Sequence, residues 1–138
     1  MDIEAIKNYL YERDEIIFAY LYGSFAKKTN NKLSDIDIAI YIDENEKPPS
    51  SYFGYRSDLI SEIQKYTKKE IDLVILNEVS ISIAYNVFKE GKLLFTKSKK
   101  IKINFHEKII NKYLDFLPLF EVQEKYLKNS IKKGTFGR

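Results

Sequence analysis

The sequence predicts an α/β (α+β) fold in which a small mixed β-sheet is flanked by helices. Short apolar runs of strand length recur at 15–22, 35–42, 70–76 and 92–96, and segments with apolar residues at helical spacing lie between and after them. With 138 residues, of which 44% are hydrophobic and 14% aromatic, the chain suits a single domain with one moderate core.

Five helices are expected from the spacing of apolar residues. They cover 2–13, 52–67, 80–90, 100–117 and about 120–132. Tyr66 falls on the apolar face of the second helix, so we expect it to point inward, and Ile83 is one of the apolar residues at helical spacing in the third. Pro118 separates the last two helices, because proline lacks the N–H group that a helix interior needs.

Charge divides the chain into two parts. Residues 1–96 carry 12 basic and 16 acidic side chains, a net charge of −4, whereas residues 97–138 carry 11 and 4, a net charge of +7. We therefore expect a catalytic core over 1–96 and a basic helical extension over 97–138 that packs on the core or on a partner. The extension meets a negative surface or is simply a solvated lysine-rich helix face.

Several classes of protein are excluded by composition. The chain has no cysteine, which excludes disulfides, zinc–thiolate sites and cysteine nucleophiles. No apolar run approaches the roughly 20 residues of a membrane span, and the acidic N-terminus does not resemble a signal peptide. These features predict a cytoplasmic protein without a membrane segment.

A sharp turn is predicted where the first strand ends, at Gly23-Ser24. Glycine allows backbone torsions that let the chain turn tightly and approach a ligand closely. Backbone N–H groups in such a turn form an anion site, and the serine hydroxyl adds a donor. Gly23 and Ser24 are candidate phosphate-binding residues, although Gly-Ser is also a common turn.

Two aspartates open the second strand. Because side chains alternate along a strand, Asp35 and Asp37 share one face, and Ile36 and Ile38 share the other. Two carboxylates this close repel each other, and a divalent cation removes that cost. Mg²⁺ binds oxygen ligands, usually one or two carboxylates together with substrate phosphates. Asp35 and Asp37 are therefore candidate Mg²⁺ ligands, although Asp-x-Asp by itself is also typical of a solvated strand end.

The combination is more specific than either part. Gly-Ser, ten intervening residues and Asp-x-Asp between two apolar strands resemble the signature of the DNA polymerase β-like nucleotidyltransferase superfamily. The short chain resembles its minimal nucleotidyltransferases (MNT), which are often partnered with HEPN-domain toxins. The resemblance covers about 15–96 well and the remainder loosely, and it implies the polymerase β-like nucleotidyltransferase fold.

The resemblance also implies a third carboxylate. In the apolar strand 70–76, Glu70 and Asp72 share the face opposite Ile71 and Leu73. By resemblance Asp72 completes the catalytic triad and acts as general base toward an acceptor hydroxyl. Glu70 is the alternative on the same face.

Two lysines follow the Gly-Ser turn, where many minimal nucleotidyltransferases carry arginine and glycine. Lys27 and Lys28 are candidate nucleotide-binding residues that would neutralise phosphate as point charges, without the bidentate fork of arginine. Surface solubility is the competing interpretation.

Arg56 reaches either the site or the solvent, and the single histidine, His106, has no partner in the sequence and is not expected to be catalytic.

The resemblance implies a reaction as well. ATP would be the nucleotide, and two Mg²⁺ ions would be held by Asp35, Asp37 and Asp72. AMP would pass to a tyrosine hydroxyl of a cognate HEPN-type RNase toxin and inactivate it by adding bulk and negative charge. The protein would then be an antitoxin that binds no nucleic acid directly.

Other functions stay open from the sequence. A non-catalytic antitoxin would only bind and block its toxin, but such a protein has no need of three carboxylates. A small-molecule nucleotidyltransferase of the antibiotic-resistance kind would require a second substrate domain or a homodimer. Nucleic-acid binding through the basic extension would weaken steeply with salt.

Overall fold

The computed structural model describes the backbone of residues 2–23 and 35–132 and the side chains of these ranges up to residue 118. Within these ranges the elements are α1 (Asp2–Glu12), β1 (Ile16–Tyr22), β2 (Ile36–Ile42), α2 (Tyr55–Ile63), β3 (Ile71–Ile75), α3 (Ile81–Glu90), β4 (Lys92–Thr96) and α4 (Lys99–Lys132). Single 3₁₀ turns follow β2 and α2, at Glu44–Glu46 and Gln64–Tyr66.

The four strands form one mixed sheet in the order β3-β2-β1-β4. β1 pairs antiparallel with both β2 and β4, whereas β2 and β3 are parallel. Parallel neighbours need a crossover connection, and α2 provides it. The predicted mixed sheet with flanking helices is therefore confirmed.

Helices cover both faces of the sheet. α1 and α2 bury one face, where Leu10 and Leu59 join the isoleucines of β2. α3 and α4 bury the other, where Val87 and Ile109 meet Phe18 of β1. Because the central strands are covered on both sides, they read as nearly continuous apolar runs in the sequence.

A buried carboxylate joins the start of β1 to α2. Glu15 is only 3% exposed. It accepts hydrogen bonds from the Arg13 guanidinium (3.0 Å) and from the Tyr55 hydroxyl (2.6 Å). A buried charge is tolerated when it is paired and hydrogen-bonded, and this network meets both conditions.

The second predicted helix is shorter than expected. It begins at Tyr55 rather than residue 52 and ends at Ile63, and Tyr66 lies in the following 3₁₀ turn, 41% exposed, so the prediction that Tyr66 points inward is wrong. Gly54 precedes the helix with φ +93°, a torsion that side-chain-bearing residues rarely adopt. The turn at Gly54 therefore sets a later start than the apolar spacing indicates.

The C-terminal part also differs from the prediction. One helix, α4, runs from Lys99 to Lys132 with Pro118 inside it, where two helices were expected. A proline removes one backbone hydrogen bond and favours a kink, but it does not oblige a long helix to end.

The first turns of α4 lie on α3. Phe105 meets Phe88 edge to face with ring centroids 5.8 Å apart, and Tyr113 contacts Tyr85 with ring centroids 3.8 Å apart. Ile109 is buried between the helices and the sheet. Among the described residues, no helix combines the length and the apolar character that a membrane span requires.

Candidate active site

Three polar side chains stand in one row across the sheet. Tyr22 of β1 is the register partner of Asp37 in β2, and Asp37 is the partner of Asp72 in β3. Register partners on adjacent strands project from the same face, and the strands lie about 4.8 Å apart. Strand pairing thus brings together two carboxylates that are 35 residues apart in the chain.

The turn after β1 lies directly against this row. Gly23 has φ +72°, and a Cβ added there would lie 2.2 Å from Oδ2 of Asp37. A side chain at this position would meet both an unfavourable torsion and a steric clash. The sharp turn predicted at Gly23 is present, and it holds backbone atoms beside the Asp37 carboxylate.

The row is electrostatically unfavourable without a cation. Burial raises the pKa of Asp37 above its ordinary value, and the charges of Asp72 and Asp35 raise it further. Burial also raises the pKa of Tyr22, whose hydroxyl donates a hydrogen bond to the Asp72 carboxylate. These oxygen ligands fit a hard divalent cation such as Mg²⁺.

The carboxylates alone do not enclose a metal ion. In the part of the chain that the structure describes, no three His, Asp or Glu side chains are clustered closely enough to hold one. Asp72 is instead engaged by Tyr22 and by Arg56. Mg²⁺ commonly binds through one or two carboxylates and completes its shell with water and substrate phosphates, so Asp35 and Asp37 satisfy that pattern.

Arg56 reaches the site from α2. Its Nε donates to the Leu73 carbonyl oxygen at 2.7 Å, and its Nη2 lies 3.5 Å from Oδ1 of Asp72. β3 has no further strand beside it within the described residues, which leaves the Leu73 carbonyl available to a side chain. The sequence left open whether Arg56 faces the site or the solvent, and the structure places it at the third carboxylate.

Of the remaining candidates, the structure describes Asp35 and Glu70. Asp35 is exposed just before β2, close enough to Asp37 to affect its pKa. Ser24, Lys27 and Lys28 lie outside the described residues. Glu70 is exposed, and its backbone carbonyl accepts from the Ile36 N–H at 2.9 Å.

Two further residues need comment. Tyr22 was not identified from the sequence, although its place directly before Gly23 on the face of Phe18 and Tyr20 was a usable signal. His106 lies away from the row, with its ring 4.5 Å from Phe88. Burial lowers the pKa of the His106 imidazole, and the positive charge of Lys102 lowers it further. Within the described residues an aromatic ring and a lysine thus lie beside it, not a cluster of carboxylates that could hold a cation.

A cavity of about 430 Å³ opens beside the turn. Its lining consists of Tyr22, Gly23, Ile83, Asn86, Val87 and Glu90. Ile83, one of the apolar residues at helical spacing in α3, is 44% exposed and faces this cavity. A larger depression of about 600 Å³ lies between α1 and α2, but neither Tyr22 nor Gly23 lines it, so we take the smaller cavity as part of the site.

Comparison with known families bears on this arrangement. The family model described as "Polymerase beta, Nucleotidyltransferase" matches residues 4–100, well over half of the chain and all four strands. The chain belongs to the polymerase β-type nucleotidyltransferase family.

Solved structures share the fold of this nucleotidyltransferase. One is a chain of a toxin–antitoxin complex with AMP-PNP, with a TM-score of 0.72 and 21% identity, covering 96% of this chain and 99% of the other. A chain of the MntA–HepT toxin–antitoxin complex gives 0.65 and 20%, covering 95% and 97%. A chain of the complex of tri-AMPylated Shewanella oneidensis HEPN toxin with MNT antitoxin gives 0.61 and 18%, covering 96% and 99%.

No curated protein sequence matches this nucleotidyltransferase significantly. At identities near 20%, the structural matches establish the shared fold over nearly the whole chain. Because these matches establish the fold alone, we infer the chemistry of this chain from its own residues, the row Tyr22–Asp37–Asp72 and the turn at Gly23.

Proposed function

We propose that this nucleotidyltransferase is an antitoxin that transfers AMP from ATP to a tyrosine hydroxyl of a cognate HEPN-type RNase toxin. The observation that supports it most directly is the position of Gly23 against Asp37, with Asp72 in register beside it. A phosphate-binding turn next to paired carboxylates is what transfer from a nucleoside triphosphate requires. The cytoplasm, which supplies ATP, is the compartment we propose.

The proposed chemistry assigns a role to each candidate residue. Asp72 accepts the proton of the tyrosine hydroxyl, whose oxygen forms a bond to the α-phosphorus of ATP. The bond from the α-phosphorus to the bridging oxygen breaks, and pyrophosphate leaves. The backbone at Gly23 and the hydroxyl of Ser24 position the phosphates, and Lys27 and Lys28 offset their charge.

Asp35, Asp37 and Asp72 would hold two Mg²⁺ ions. When bound, such ions lower the pKa of the acceptor hydroxyl and stabilise the charge of the departing pyrophosphate. The raised pKa of Asp37 supports this assignment, because burial and then the charges of Asp72 and Asp35 disfavour its ionised form, and a bound cation offsets that cost. Without bound ions, Tyr22 and Arg56 hold the Asp72 carboxylate in its orientation.

The cavity beside Gly23 would take the nucleoside part of ATP. It adjoins the turn that we assign to the phosphates, and Ile83 offers an apolar surface to a base. Asn86 offers amide donor and acceptor groups. An apolar wall with a few polar groups is the usual composition of a ligand pocket.

The partner is proposed from the structural neighbours. Three of them are chains of toxin–antitoxin complexes; one of those complexes contains AMP-PNP and another a tri-AMPylated HEPN toxin. The basic extension over 97–138 is proposed as a second contact region for the toxin. Its helix α4 exposes Ile103, Ile110 and Leu114 on one side, at spacings of seven and four residues.

The test follows AMP from ATP labelled at the α-phosphate to a co-expressed HEPN-domain protein from the neighbouring reading frame, with Mg²⁺ present. The wild type is compared with the double variant Asp35→Ala/Asp37→Ala. Covalent label that disappears in the double variant is the expected result.

Two other outcomes would change the proposal. A tight complex without label in either sample points to an antitoxin that acts by binding alone. Label on a small hydroxyl compound, with none on the neighbouring protein, points to a small-molecule nucleotidyltransferase.

A further inference from the structure

Two aromatic side chains project almost completely into solvent from the loop before α2. Tyr52 is 98% exposed and Phe53 is 79% exposed. Their rings meet edge to face, with centroids 5.7 Å apart and planes at 88°. We call these two residues the aromatic pair. They contribute nothing to either core cluster, and burying such side chains on a partner is strongly favourable.

The loop that carries the aromatic pair is held in a fixed conformation. The Ser51 backbone N–H donates to Asp58 of α2 at 2.7 Å, and the Ser51 hydroxyl donates to the same carboxylate. The N–H of Phe53 donates to Ser51 Oγ at 3.2 Å, and the N–H of Gly54 donates to the Ser51 carbonyl at 3.0 Å. Binding through a loop that is already ordered loses less conformational entropy.

The aromatic pair lies on the Asp72 side of the candidate active site. Arg56, three residues after Phe53, contacts both the Leu73 carbonyl and the Asp72 carboxylate and is half exposed. The chain between the Cα atoms of Phe53 and Arg56 spans at most about 11 Å. A typical protein interface covers about 800 Å² on each partner, a patch about 30 Å across. An interface of that size centred on Arg56 and Asp72 is therefore large enough to include the aromatic pair.

The charge around the loop indicates what kind of molecule docks there. Residues 43–62 carry five acidic and two basic side chains. This segment repels nucleic acid, whose affinity for proteins comes largely from phosphate contacts. Tyrosine and arginine are instead typical of the residues that dominate the affinity of protein–protein interfaces.

We propose that Tyr52, Phe53 and Arg56 form the docking surface for the protein that supplies the acceptor hydroxyl. This inference rests on the proposed function, in which that protein is the toxin. The docked face would be folded protein with an apolar pocket for the aromatic pair and basic groups opposite the acidic loop. Docking there presents the acceptor hydroxyl to Asp72 from the outer edge of the sheet.

The test compares the wild type with the double variant Tyr52→Ser/Phe53→Ser. Affinity for the neighbouring HEPN-domain protein, the KM for that protein and the Kd for ATP are measured separately. We expect the partner Kd and KM to rise at least tenfold, while the Kd for ATP and the melting temperature stay as in the wild type. Tyr11→Ser is the matched control, because Tyr11 is 54% exposed on α1, which packs on β1 and β4 toward the opposite edge of the sheet.

Each outcome decides the proposal. Unchanged partner affinity and KM in the double variant would overturn it, as would an equal loss in the Tyr11 control. If the wild type binds the partner but transfers no label, the proposed transferase function fails. The comparison of affinities then still decides whether this surface is where the partner docks.

Discussion

At the scale of single residues, the site is built from side chains whose surroundings penalise their charge. Asp37 lies between Tyr22 and Asp72 and under the backbone of Gly23. An arrangement like this is unfavourable for the folded protein alone, and it becomes favourable when a cation and phosphates occupy the site. Function and stability should therefore respond in opposite directions to substitution of Asp37.

Substitution Asp37→Asn should raise stability and abolish transfer. The raised pKa means that the folded chain binds a proton at Asp37 more readily than the unfolded chain, so the free energy of unfolding falls as pH rises through that window. We expect the Asp37→Asn variant in EDTA to melt at a higher temperature than the wild type at pH 7, with the difference narrowing near pH 4. Transfer activity should fall roughly 100-fold or more, as expected for a lost metal ligand.

The control for this prediction is Asp14→Asn, an exposed aspartate at the opposite end of β1. We expect Asp14→Asn to change the transfer rate and the pH dependence of the melting temperature much less than Asp37→Asn does. A melting temperature of the Asp37→Asn variant that is lower than that of the wild type at pH 7 would contradict the electrostatic account.

Substitution Gly23→Ala should impair nucleotide binding as well as stability. The positive φ costs roughly 1–2 kcal/mol for a residue with a Cβ, and the added atom also meets Asp37. Gly54→Ala is the matched control, because Gly54 has a positive φ but nothing within 4 Å of the added Cβ. Urea unfolding should show a loss in both variants, whereas titration with ATP should show about tenfold weaker binding only for Gly23→Ala.

At the scale of elements, the site depends on how β1, β2 and β3 align and on what α2 and α3 add beside them. β2 and β3 place Asp37 and Asp72 in register, α2 brings Arg56 around the outer strand, and α3 forms one wall of the cavity. The strands supply the carboxylates, and the helices supply the residues that orient and enclose them.

Substitution Ile83→Glu in α3 should weaken ATP binding by about tenfold. It places a negative charge and removes an apolar surface in the cavity that we assign to the nucleoside. Ile103→Glu in α4 is a matched control, because Ile103 is 47% exposed but does not line this cavity. If the two substitutions change the Kd for ATP equally, the nucleoside does not bind in this cavity.

At the scale of the whole molecule, the chain combines an acidic core with a basic extension. The net charge is −4 over 1–96 and +7 over 97–138, and in the part of the chain that the structure describes α4 starts against α3 and continues to Lys132. Such a separation of charge speeds the association of oppositely charged partners and makes the rate sensitive to salt.

Reversal of charge on α4 should slow association with the partner. For Lys100→Glu/Lys108→Glu we expect a lower association rate at low salt, and a smaller decrease of that rate when salt is added. Lys68→Glu/Lys92→Glu reverses two exposed lysines of the core and serves as the control. If the substitutions on α4 instead abolish binding to a nucleic acid probe and leave partner association unchanged, the extension is a nucleic-acid contact.

The sequence by itself determined the mixed sheet, the order of strands and helices through β4, the turn at Gly23 and the faces of Asp37 and Asp72. These follow from local rules, because alternation along a strand and the torsions open to glycine need no knowledge of the rest of the chain. Only the tertiary structure decided that Asp37 and Asp72 are register partners, that Tyr22 bonds to Asp72 and that Arg56 reaches the site. It also showed one helix across Pro118 and an exposed aromatic pair. The pairing register in particular depends on contacts between distant segments, which alternation along a single strand does not fix.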